Sequence, residues 1–253
     1  MNRIAPALAL LALAAPLSGC GGDGGGTAGG DTTTITVLAA ASLTETFTAL
    51  ADRFEADHPG VKVRLAFDSS ATLAQQAVDG APADVLATAD TATMDSARDA
   101  VDGDPAVFAT NTLVLVTPPD DPAGISRFDD LESSDVTWVA CVPTAPCGRV
   151  AAALLEDNGV AAEPASLEVD VKSVLAKVTS DEADAGVVYA TDAVAAGDRV
   201  RTLEIPRAGA EATTYPIATL RHSEQADLAR AFVDLVTSPE GQQVLDDAGF
   251  GQP

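Results

Sequence analysis

Thr34-Ile35-Thr36-Val37-Leu38-Ala39-Ala40-Ala41-Ser42-Leu43-Thr44-Glu45 is the run on which the reading of this chain turns. It opens as a strand, because Ile35, Val37 and Ala39 alternate with Thr36 and Leu38 in a short β-rich stretch. It closes as a helix start, because Ser42 and Glu45 have the S-x-x-E spacing of a capping box. The three small alanines between allow a tight turn and the close approach of another body. The run therefore predicts a strand whose carboxyl end delivers a serine hydroxyl and free backbone N–H groups. In an open α/β sheet ligands sit at that end, and a helix N-terminus favours anions. Taken alone, Ser42 also reads as an ordinary N-cap serine.

The chain beyond repeats the pattern. Leu43, Phe47, Leu50 and Phe54 recur at helical spacing until Asp57-His58-Pro59-Gly60 stops them. Val61, Val63, Leu65 and Phe67 alternate as a second strand, which runs into Asp68-Ser69-Ser70-Ala71-Thr72-Leu73, a second serine-bearing junction. Ala83–Thr88 reads as a third strand and Ala89–Ala100 as a third helix. This order argues for a parallel sheet with right-handed crossovers. Asn111–Thr117 is an apolar strand ended by Pro118-Pro119, where the chain is expected to leave a first lobe. A second α/β set follows: strands at Val136–Val142, Ala185–Tyr189 and Arg201–Ile205, helices at Arg149–Asp157 and Lys172–Thr179. Tyr215–Leu220 is a further strand, Glu224–Val236 a helix, and Ser238-Pro239-Glu240 caps the last one. The expected fold is a two-lobe α/β clamshell, each lobe a mostly parallel sheet flanked by helices. Residues 34–116 and 212–253 form the first lobe and 117–211 the second. Clefts between lobes favour ligands, and hinge closure is the expected motion.

Residues 1–20 read as an export signal: a short basic start at Arg3, an apolar run from Ile4 to Leu17, and Leu17-Ser18-Gly19-Cys20, which resembles a lipobox. On that reading Cys20 carries the lipid, residues 21–33 are a Gly-rich tether, and the domain sits at the outer face of the cytoplasmic membrane. A formal net charge of −24 speaks against nucleic acid, which needs a basic footprint. It also requires any anion site to be local, built from aimed dipoles, since screening limits long-range repulsion to about 8–10 Å. Cys141 and Cys147, six positions apart in an exported chain, leave two readings open: a disulfide, or two buried thiols. No histidine or third cysteine lies near enough in sequence to suggest a metal site. His58 and His222 sit at turn positions and read as surface residues.

Several segments resemble the molybdate-binding proteins of ABC importers, a type II solute-binding family. They are Val37–Leu43, Phe67–Ala74, Gly80–Val85, Gly186–Ala193 and Tyr215–Ala218, in an order that covers the chain from about Thr34 to Phe250. The resemblance implies a monomeric, non-enzymatic receptor without a cofactor, which binds molybdate or tungstate and delivers it to a membrane permease. It implies a pocket of neutral donors: the Ser42, Ser70 and Tyr189 hydroxyls and the backbone N–H groups of Cys147 and Val171, with Ala41 and Ala71 as flanking donors. Cys147 departs from the family pattern, where alanine is common; a bond to Cys141 would staple a donor-bearing loop. Lys172 reads as solvated beside its helix, and Asp192 as a cap for the helix after Tyr189. Three other readings stand beside this one. The chain could bind sulfate or another tetrahedral oxyanion, or serve as a sensor on the same clamshell. A serine hydrolase using Ser42 or Ser70 fares worst, for there is no G-x-S-x-G elbow.

Overall fold

A computed structural model describes residues 32–253. The export signal, Cys20 and all but the end of the tether lie outside the described residues. Two five-stranded sheets organise the chain. The first is built from β1 (Thr33–Ala40), β2 (Val61–Asp68), β3 (Val85–Ala87), β4 (Ala106–Asn111) and β10 (Thr213–Thr219), in the order β2-β1-β3-β10-β4. β1 lies parallel to both β2 and β3, while β10 runs antiparallel to β3 and β4. The second sheet takes β5 (Leu113–Thr117), β6 (Trp138–Cys141), β7 (Ser166–Glu168), β8 (Ala185–Tyr189) and β9 (Arg201–Glu204), ordered β7-β6-β8-β5-β9.

Each parallel strand is followed by a helix, as the alternation of period-2 and period-3.6 runs requires. These are α1 (Thr44–Asp57) after β1, α2 (Ser70–Val78) after β2 and the short α3 (Thr91–Ser96) after β3. In the second lobe they are α4 (Pro146–Asn158), α5 (Val171–Thr179) and α6 (Ala190–Ala196), after β6, β7 and β8. Two closing helices, α7 (Ala226–Thr237) and α8 (Pro239–Asp247), return to the first lobe. There Phe232 meets Phe47 and Phe54 with ring centroids 5.9 and 5.5 Å apart. Such tilted aromatic contacts, beyond the area they bury, hold α1 against α7.

The structure corrects several expectations. β5 belongs to the second sheet, so the chain leaves the first lobe at Thr112 and not after Val116. An alternating Leu-Val-Leu-Val strand is equally at home in either sheet, so its sequence could not decide. Strand structure begins at Thr33, the last residue assigned to the tether. The predicted third helix shrinks to Thr91–Ser96, capped by Asp90, whose carboxylate accepts from the Thr93 N–H at 2.8 Å. β4 and the three-residue β7 were not anticipated. Cys141 and Cys147 are disulfide-bonded, with Cα atoms 5.8 Å apart.

Candidate functional site

The capping box expected at Ser42 does not form. A single 3-10 turn, Ala41–Leu43, separates β1 from α1, and no side chain caps either start. This turn rotates Ser42 inward, where its Oγ lies 2.9 Å from the hydroxyl of Tyr215 on β10. Glu45 faces the other lobe, where both its carboxylate oxygens accept from Lys172 Nζ, at 2.8 and 2.7 Å.

Ser70 opens α2, with Ser69 in the N-cap position and no side-chain cap. Its Oγ accepts from the Ala89 N–H at 2.9 Å, tying this junction to the one after β3. On the second lobe, Pro146 and Cys147 form the first turn of α4, whose N-cap Ala145 supplies no side-chain oxygen. The turn is packed so tightly that a Cβ on Gly148 would come within 2.0 Å of the Val142 carbonyl. The Cys141–Cys147 bond ties the same turn to the end of β6. Val171 is the first residue of α5, and the Asp170 carboxylate turns back to accept from Ser173 N–H at 2.8 Å. Tyr189 ends β8 immediately before α6.

These junctions share one buried cavity at the carboxyl ends of β1, β2, β6, β7 and β8, between the two sheets. Ser42, Ser70, Cys147, Val171 and Tyr189 all line it, together with Ala41, Asp68, Ser69, Ala89 and Asp170 among others. All five sequence-predicted ligand residues therefore converge; Ala71 lies outside the lining. Five helix starts point at this space, and the first-turn N–H groups of a helix have no intrahelical acceptor. No lysine, arginine or histidine is among the lining residues. The volume open to the centre of a water-sized sphere is about 20 Å³. Widened by the ~1.4 Å radius of that sphere, this is a hole roughly 3 Å in radius. Its size suits a compact ion.

The Tyr189 hydroxyl is buried and has no hydrogen-bond partner in the protein. Burial, then the neighbouring Tyr215 and Asp90, push its pKa well above the ordinary tyrosine value. It stays protonated, an O–H without an acceptor on the wall of a cavity. A buried unpaired polar group of this kind calls for an explanation, and a ligand supplies one.

Two ionic contacts cross between the lobes beside the cavity. The sequence suggested a solvated Lys172, but its half-buried side chain is paired: besides Glu45, its Nζ lies 3.0 Å from Asp192 Oδ1. That approach is a charge contact whose angle makes no hydrogen bond. Burial disfavours the Lys172 ammonium, but Asp192 and Glu45 outweigh it and hold its pKa above the ordinary lysine value. Asp192 does not cap α6, for the N-cap residue is Tyr189. It is fully buried, and burial lifts its pKa to about 6 against the pull of Lys172. On the other flank Arg149 of α4 pairs with Asp90 and donates to Thr93 Oγ1 at 2.8 Å. Neither these crossings nor the Tyr215 partner of Ser42 left a signal in the sequence, since each joins residues far apart in the chain.

Residues 35–251 match the family described as bacterial extracellular solute-binding protein. The chain belongs to that family. Among curated solute-binding relatives, the molybdate-binding protein ModA of Mycobacterium tuberculosis is 42% identical over 221 residues, 87% of this chain and 85% of the relative. The molybdate-binding protein ModA of Escherichia coli is 33% identical, over 85% of this chain and 88% of its own length. Among solved structures, the Azotobacter vinelandii periplasmic molybdate-binding protein superposes with a TM-score of 0.76, covering 87% of this chain and 99% of that one. At 20% identity that likeness speaks for the fold. It is the two-lobe solute-binding clamshell.

Proposed function

We propose that this protein captures molybdate or tungstate outside the cytoplasm and hands it to the permease of an ABC transporter. The observation that carries the reading is the cavity wall: donors from five βα junctions, two lobes contributing, and no cationic side chain. A tetrahedral dianion that is fully deprotonated at neutral pH offers only acceptors, and neutral donors aimed by helix starts can hold it. The relatives named for molybdate lend the substrate its identity. Ser42, Ser70 and Tyr189 act through their hydroxyls, Cys147 and Val171 through backbone N–H groups, and the disulfide keeps the Cys147 turn in place. Release to the permease follows from separating the lobes.

The serine hydrolase reading lacks a base. The Ser42 hydroxyl meets a tyrosine hydroxyl and the Ser70 hydroxyl a backbone amide, and neither accepts a proton as histidine would. In our reading the chain is anchored through a lipid on Cys20, the Gly-rich tether giving it reach. Membrane fractionation of a Cys20→Ala variant tests that point: the anchor predicts release into the soluble fraction, and unchanged fractionation contradicts it. The substrate is tested by calorimetric titration with molybdate, tungstate, sulfate and phosphate. Submicromolar binding of molybdate or tungstate at one site is expected. Tight binding of sulfate with none of molybdate would assign the same cavity to a different oxyanion.

A further inference from the structure

We infer that Tyr215 and Asn111, which do not line the cavity, are positioning residues that make the site reject anions carrying a proton, by fixing the direction of the Ser42 hydroxyl hydrogen. The inference rests on the oxyanion reading above and deepens it.

The direction follows from counting donors and acceptors. Asn111, at the end of β4, is buried, and its amide orientation is set because Oδ1 accepts from the Thr112 N–H at 3.0 Å. Its Nδ2 then faces Thr191 Oγ1 at 2.8 Å and the Tyr215 hydroxyl at 3.5 Å. An amide NH₂ only donates, so the Tyr215 oxygen is on the receiving side of that contact. The Tyr215 side chain is fully buried, and its own proton needs an acceptor. Among the described residues the Ser42 Oγ, 2.9 Å away, is the one hydrogen-bonded neighbour able to take it. Were Ser42 the donor instead, the buried Tyr215 O–H would be left unpaired. Tyr215 therefore donates to Ser42, and the Ser42 hydrogen is released toward the cavity.

The other hydroxyls obey the same polarity. Ser70 Oγ accepts from Ala89 N–H, which leaves its hydrogen for the cavity. Tyr189 has no protein partner, so if it accepted from a ligand its own hydrogen would stay unpaired. Burial holds the pKa of both tyrosines above the ordinary value, which keeps the protons in place. The ligand meets hydrogens at the Ser42, Ser70 and Tyr189 hydroxyls, while the lining carboxylates of Asp68 and Asp170 accept from the backbone N–H groups of Ser69 and Ser173. A fully deprotonated oxyanion satisfies them all, whereas hydrogen phosphate or hydrogen arsenate brings one donor too many and leaves it buried without an acceptor.

Sulfate and hydrogen phosphate form a suitable pair of probes, since both are tetrahedral dianions and only one carries a proton at pH 7.5. Binding of molybdate is measured by calorimetry, and that of sulfate and phosphate by competition against it, for the wild-type protein, Tyr215→Phe and Asn111→Asp. Tyr215→Phe frees the Ser42 oxygen to turn a lone pair inward. The sulfate-to-phosphate preference is expected to fall at least tenfold, with molybdate affinity changing less. Asn111→Asp, nearly isosteric, offers Tyr215 an acceptor and reverses the chain of donors. It should lower the same preference even if Tyr215→Phe folds poorly, and a merely structural role would weaken all anions alike. An unchanged sulfate-to-phosphate ratio in folded variants that still bind molybdate overturns the inference and spares the oxyanion reading. A wild-type protein that binds none of these anions overturns both.

Discussion

Replacing Tyr189 by phenylalanine removes one oxygen atom and has opposite consequences for the empty and the loaded protein. The ring stays, so the packing of its fully buried body against Tyr215, 5.9 Å away between centroids, is kept. The hydroxyl has no protein partner, so the ligand-free fold loses no hydrogen bond. An unpaired buried hydroxyl costs at most about 1–3 kcal/mol, less where water serves it, and its removal leaves the empty protein as stable as before or more so. With an anion bound, the same oxygen gives a hydrogen bond to a charged group, worth about 1.5–3 kcal/mol. Affinity should therefore fall by roughly 10- to 150-fold. Because a ligand raises stability in proportion to the logarithm of one plus the ratio of its concentration to Kd, the rise in melting temperature at a fixed excess of molybdate should shrink. At about 2–4 °C per kcal/mol for a domain of this size, the loss is about 3–12 °C. Differential scanning fluorimetry with and without molybdate measures both halves. A variant that melts several degrees lower without ligand, and keeps the full molybdate increment, would show that the hydroxyl is structural.

Four further outcomes follow from the same geometry. Ser42→Ala should weaken molybdate binding by about 1–3 kcal/mol in calorimetry; unchanged affinity would remove Ser42 from the site. Arg149→Gln breaks the Asp90 contact across the cleft, a partly exposed pair worth about 0.2–1 kcal/mol, so stopped-flow dissociation of molybdate should quicken up to about fivefold. An unaltered rate would mean the pair does not hold the lobes together. Asp192 is raised from 3.8 to about 6 in the folded protein. The native state thus binds more protons in that interval, and the contribution of Asp192 is fully present below about pH 3.8 and lost as pH rises through about 6. That interval corresponds to about 3 kcal/mol, and urea titrations of Asp192→Asn against wild type should show the difference curve falling between those values; a flat difference contradicts the burial argument. Reducing the six-residue Cys141–Cys147 loop should cost about 2 kcal/mol of stability and weaken molybdate binding through the Cys147 turn. Stability lost without any change in affinity would separate the disulfide from the site.

How far the sequence carried the reading depended on whether the deciding contact was local. The βα junctions at Ser42 and Ser70 were legible because a change of hydrophobic period marks each one, whereas Val171 and Tyr189 entered through the family resemblance. Their convergence was expected from the rule that ligands lie at the carboxyl ends of strands. The conformation of Ser42 was not legible: S-x-x-E spacing describes a cap, but the partner that turned the hydroxyl away is Tyr215, 173 positions later. Lys172 next to Val171 gave no sign that Glu45 and Asp192 would enclose it. Strand β5 shows the same limit at the level of topology, since its apolar residues specify burial and say nothing about which sheet buries them. Where the sheet edge is only three residues long, as in β7, there is too little pattern to read at all.

Anomalous diffraction from crystals grown with molybdate decides whether the cavity between the sheets is the binding site, because molybdenum marks its own position. A single molybdenum peak is expected in the cavity between the two sheets. Its oxygens should lie within hydrogen-bond distance of the Ser42, Ser70 and Tyr189 hydroxyls and the N–H groups of Cys147 and Val171. A cavity without molybdenum in crystals that bind it elsewhere, or an ion held there by a lysine or arginine, would contradict this expectation.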